Sequence, residues 1–149
     1  MKPTRTWVLI ADGARARILQ NDGPGKGLHE VEGCVFHSDH AATHEIMSDR
    51  EGRSHASVGP SRSAIEAHSD PHRELKKTFA HQLADVLASR LSSRAYERLV
   101  IVAAPSALGD LRAAISEQVR AKVTGEVAKD LTKTPDGEVA GHLKDVLSA

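Results

Sequence analysis

Six consecutive apolar residues, Leu99-Val100-Ile101-Val102-Ala103-Ala104, stand between charged Arg98 and Pro105, and no other feature restricts the fold as much. The run is too short to cross a membrane. It also lacks the alternation of a strand with one wet face, so it reads as a strand covered on both faces, central in a sheet with further layers above and below. A chain of 149 residues can supply those layers within one core, and residues 1–149 are read as a single domain.

The flanking patterns give the layers an order. Trp7-Val8-Leu9-Ile10-Ala11 and Ala14-Arg15-Ala16-Arg17-Ile18-Leu19 are separated by Asp12-Gly13, which predicts a tight hairpin with glycine taking a positive φ. After the Gly- and Pro-rich break at 21–27, Leu28 to Phe36 predicts a third strand. Asp70-Pro71 is a helix start, and Leu75, Phe79, Leu83, Val86, Leu87 and Leu91 draw one apolar stripe behind it. Pro105 opens a second helix carrying Leu108, Leu111, Ile115 and Val119. Val123 to Lys129 predicts a strand, and Thr134-Pro135 begins a last helix through Val139, Leu143 and Val146. The expectation is an α/β domain with a mixed five-stranded sheet: a three-strand meander, then α-β-α-β-α. That is the element order of the ribonuclease H-like fold. Residues 37–69 carry few large apolar side chains and predict a long polar loop.

Composition removes several classes of function. Twenty Lys and Arg balance twenty Asp and Glu, so net charge supplies no footprint for nucleic acid, although a local patch remains open. The apolar run at Trp7–Ala11 is too short for a signal sequence or a membrane span, and the expectation is a cytoplasmic protein without membrane contact. A lone cysteine, Cys34, excludes an intrachain disulfide and any CxxC site. Gly23-Pro24-Gly25-Lys26-Gly27 lacks the spacing and the following helix of a phosphate-binding loop.

Leu99 to Ala104 followed by Pro105-Ser106-Ala107-Leu108-Gly109-Asp110-Leu111-Arg112 resembles the bacterial family of proteins required for attachment to host cells. So do Lys129-Asp130-Leu131-Thr132 and the opening Val8-Leu9-Ile10-Ala11-Asp12 with Ala14-Arg15-Ala16-Arg17. The resemblance implies a domain similar to the middle domain of archaeal and eukaryotic peptide-chain release factors. In those factors a loop before the long helix carries Gly-Gly-Gln into the peptidyl-transferase centre. Here that stretch reads Gly52-Arg53-Ser54-His55-Ala56-Ser57-Val58-Gly59-Pro60-Ser61-Arg62 and has no Gly-Gly-Gln, so the resemblance implies ribosome or RNA contact without peptidyl-tRNA hydrolysis.

Three constellations follow. Arg50, Arg53, Arg62 and Arg73, with Lys76 and Lys77, are candidates for phosphate contact in RNA, set against interleaved acids that would make the same stretch an ordinary salt-bridged surface. Four aromatic residues in the chain offer few stacking platforms for bases. Six of the nine histidines fall between 37 and 72, and His37, His40 and His44 are spaced to share a metal; solvated loop histidines are the plainer reading. Asp12 at a strand end, or the histidine-rich loop, suggests a metal-dependent hydrolase or nuclease, but the hairpin turn is the better account of Asp12, as turn or capping roles explain Asp110 and Asp130. No catalytic constellation is complete and no cofactor is called for. The expected function is that of a non-catalytic binding protein; a protein partner docking on its helical surfaces is a further reading.

Overall fold

The computed structural model describes residues 4–38 and 71–149. Five strands form one sheet: β1 (Thr6–Ala11), β2 (Arg15–Asn21), β3 (His29–His37), β4 (Arg98–Ala103) and β5 (Val123–Val127). Their order is β3-β2-β1-β4-β5; β1 pairs antiparallel with β2 and β2 with β3, while β1, β4 and β5 run parallel. The sheet is therefore mixed and five-stranded, and the apolar run at β4 lies between two parallel neighbours. The third strand runs one residue further than its apolar pattern, through His37. Ser38 N–H then donates to the Ala14 carbonyl at 2.8 Å, which ties the end of β3 to the first hairpin. Between the pairs Arg17–Val35 and Leu19–Glu30 the register of β3 shifts, and Gly33 sits inside that bulge at φ 77°.

Alternation along β1 divides the core. Trp7, Leu9 and Ala11 face helix α1 (Pro71–Ser92), α2 (Pro105–Ala114) and α3 (Glu117–Arg120) in one cluster with Phe79, Leu83, Leu87, Leu108, Leu111 and Val119. Val8 and Ile10 face the other way, against Leu131, Val139 and Leu143 of the C-terminal segment. Both faces of β4 are thus covered, as its unbroken apolar pattern requires. On α1 the buried stripe is Phe79, Ala80, Leu83, Ala84 and Leu87; of the residues expected to face inward, Leu75 is 41% exposed and Val86 is half-buried and outside the core cluster.

Two helical expectations change. The second helix ends at Ala114, because Ile115 takes an extended ψ of 147° and Ser116 starts a new turn by accepting from Val119 N–H at 3.2 Å. The last helix contracts to one turn, α4 (Asp136–Val139), and a 3-10 turn at Ala140–His142. Gly137 and Gly141 weaken a continuous helix there by about 1 kcal/mol each.

Trp7 and Tyr96 stack with ring centroids 4.8 Å apart, and Tyr96 donates its hydroxyl to the Leu87 carbonyl at 2.8 Å. Burial pushes the Tyr96 phenol up to about 12. The unfolded phenol ionises near pH 10, so the folded state loses stability from about pH 10 to about pH 12, with a total near 3 kcal/mol. Tyr96 is the only tyrosine. A spectrophotometric titration at about 295 nm is expected to show no phenolate step at pH 10 in the native protein; a step there would contradict this packing.

Candidate functional site

The carboxyl ends of β1 and β4 are where an open α/β sheet ordinarily receives ligands. The start of α1, the start of α2 and the β1–β2 hairpin all meet at this end. Asp12 begins the hairpin turn: its N–H donates to the Arg15 carbonyl at 2.9 Å, and its Oδ1 accepts from the N–H groups of Ala14 at 2.7 Å and Arg15 at 2.6 Å. The turn role of Asp12 accounts for this geometry. Asp130 acts similarly, accepting from the Thr132 N–H at 3.0 Å and from its hydroxyl at 2.5 Å.

Gly13 is needed for a reason other than the one its sequence suggests. It is not among the glycines at positive φ; instead a Cβ placed on it would come within 2.7 Å of Lys76 Cγ and 2.9 Å of Cδ. The missing side chain lets the aliphatic stem of Lys76 lie across the hairpin, and the ammonium forms no ion pair among the described residues. Lys77 reaches Glu74 only loosely, at 3.8 Å, and is half exposed. Arg73, Lys76 and Lys77 share a face of the first turns of α1, since residues three and four apart are neighbours on a helix.

Arg73 is already engaged. Its two terminal nitrogens hold both oxygens of Asp110, Nη1 at 2.8 Å, and Nη1 also donates to the Ser106 hydroxyl at 3.0 Å. The Asp110 side chain is 8% exposed, and it stands inside α2, away from any helix boundary. The capping role expected of Asp110 gives way to a bidentate ion pair that pins α1 to α2. Nothing local in the sequence marks this pair, because its members lie far apart in the chain. The Arg73 head group therefore orders this end of the molecule and offers an outside anion less than Lys76 does.

His37 is exposed at the end of β3, opposite Arg15. His40, His44, Arg50, Arg53 and Arg62 lie outside the described residues, as does nearly all of the predicted 37–69 loop. Among the described residues, no three His, Cys, Asp or Glu side chains converge to hold a metal, and no helix is long and apolar enough to cross a membrane.

Compared with protein-family models, residues 7–143 match the one described as "Protein required for attachment to host cells", from the start of the core in β1 to the last buried leucine. No curated protein matches the chain.

Proposed function

The chain belongs to the family of proteins required for attachment to host cells, and from that premise we propose that it is a non-catalytic, cytoplasmic binding protein that contacts a polyanion, the RNA of the ribosome, with an indirect effect on attachment. The observation that carries the contact is Lys76. Its stem is seated on Gly13 at the carboxyl end of β1, and its ammonium is without an acidic partner among the described residues, beside Lys77 on the same face. A flexible lysine is costly to immobilise, so a seat that orders the stem lowers the entropy lost on binding a phosphate.

The strand order β3-β2-β1-β4-β5, with β2 alone antiparallel to its central neighbour β1, supports reading the fold as ribonuclease H-like and similar to the release-factor middle domain. Fold likeness does not carry chemistry with it. Asp12 spends one carboxylate oxygen on two backbone N–H groups, so the hydrolase alternative gains nothing from its geometry.

Anisotropy of a short labelled single-stranded RNA tests the contact. Affinity is expected to fall steeply between 50 and 200 mM salt, and Lys76→Glu/Lys77→Glu is expected to weaken it about tenfold or more while reducing the salt slope by roughly one per lost phosphate contact. Equal binding by the wild type and the double variant would remove this reading.

A further inference from the structure

We infer that the amino ends of β1 and β4, at the opposite end of the sheet from Lys76, carry a binding site for a small hydroxylated organic anion, built on Thr6 and Arg98. On the face that packs the C-terminal segment the strands are aliphatic, with Val8, Ile10, Leu19, Val100 and Val102 all buried. At the end of that face the pattern breaks. Asn21, Thr6 and Arg98 are direct partners across β2, β1 and β4, so one polar row crosses the sheet there. The row lines a cavity of about 300 Å³, together with Thr124 and with Val146 to Ser148 of the C-terminal segment.

The members of this row differ in what they bond. Asn21, 2% exposed, is satisfied: Nδ2 donates to the Gly27 carbonyl at 2.8 Å and Oδ1 accepts from Gly23 N–H at 3.1 Å. Thr6 is 3% exposed, borders the cavity, and its hydroxyl makes no hydrogen bond to any described residue. Its oxygen is not among the buried side-chain atoms left without a partner, so it opens on the cavity, where a ligand can reach it. Arg98, an exposed residue, also lines the cavity and, like Arg90 and Arg94, forms no ion pair among the described residues, so its guanidinium is available to a ligand there.

Those two groups define the ligand. A guanidinium presents parallel N–H donors that match a planar carboxylate or a phosphate. The hydroxyls of Thr6 and Thr124 can each donate and accept, which suits sugar-like hydroxyls. A volume near 300 Å³ is at the small end of ligand pockets and has room for a molecule of monosaccharide size. The site therefore takes a monosaccharide-sized anion, with its acidic group on Arg98 and a hydroxyl on Thr6.

The test is a two-dimensional amide NMR titration of the full chain with glucuronate, glucose 6-phosphate and glucose. At least one of the two anions is expected to shift the amides of Thr6, Arg98 and Thr124, with glucose binding about tenfold more weakly; the tighter anion identifies the acidic group as carboxylate or phosphate. Arg98→Gln and Thr6→Val are each expected to weaken that binding about fivefold. Thr6→Val is also expected to leave Tm unchanged, because it removes a hydroxyl that bonds no described residue. The inference is overturned if neither anion shifts these amides, if glucose binds as tightly as the anions, or if Thr6→Val lowers Tm by several degrees.

Discussion

Trp7→Ala is expected to lower the free energy of unfolding by about 3–5 kcal/mol, against the roughly 5–15 kcal/mol a domain ordinarily has. Trp7 is 1% exposed at the centre of the helix-facing cluster. Removing it opens a cavity beneath α1, ends the stacking on Tyr96 at 4.8 Å, and leaves Gln20 Oε1 without the indole N–H that it accepts at 2.9 Å. Trp7→Phe keeps part of the ring contact and loses the hydrogen bond, for a smaller loss of about 1–2 kcal/mol. Denaturant unfolding of the three proteins measures the series. A Trp7→Ala loss below 1 kcal/mol would mean that this side of the sheet is not packed as described.

Arg17→Ala is expected to cost about 2–4 kcal/mol, a large figure for a charged residue on a strand. Its side chain is 15% exposed and works as a clamp. Nε donates to Asp136 Oδ1 at 2.8 Å, Nη1 to the Thr132 carbonyl at 3.0 Å, and Nη2 to the Thr134 carbonyl at 2.5 Å. These bonds hold the segment that places Leu131, Val139 and Leu143 on the sheet. Lysine cannot serve acceptors spread around a planar fork, so Arg17→Lys recovers little of the loss. Hydrogen exchange locates the effect: amides of 131–143 are expected to lose protection before those of β1 and β4. Uniform loss across the sheet would show that Arg17 acts on the whole fold.

What the sequence made legible follows from how locally each feature is encoded. The double coverage of Leu99–Ala103 and the stripe on α1 are written in adjacent residues, and both appear in the structure. Helix ends were harder. Ser116 is a good N-cap residue, and the glycines at 137 and 141 are visible signals, but periodic apolar positions on either side made each stretch look continuous. Periodicity also drew Leu75 inward, although at the start of the second turn of α1 it is 41% exposed. Features that depend on residues distant in sequence were not legible: the Arg73–Asp110 pair, the clamp of Arg17, and the approach of Lys76 that makes Gly13 necessary. Of the residues proposed for phosphate contact, the structure brings Arg73, Lys76 and Lys77 together, gives Arg73 a structural partner, and leaves Lys76 the most available. Thr6 and Arg98 passed unnoticed because a threonine and an arginine at strand starts are unremarkable until register aligns them.

Ribosome contact is tested by co-sedimentation of the full chain with ribosomes through a sucrose cushion, at low and moderate salt, beside the Lys76→Glu/Lys77→Glu variant. The wild type is expected to pellet with ribosomes at low salt, less so at moderate salt, and the variant to stay in the supernatant at both. Pelleting of the variant to the same extent as the wild type, or no pelleting of the wild type at low salt, would contradict this contact.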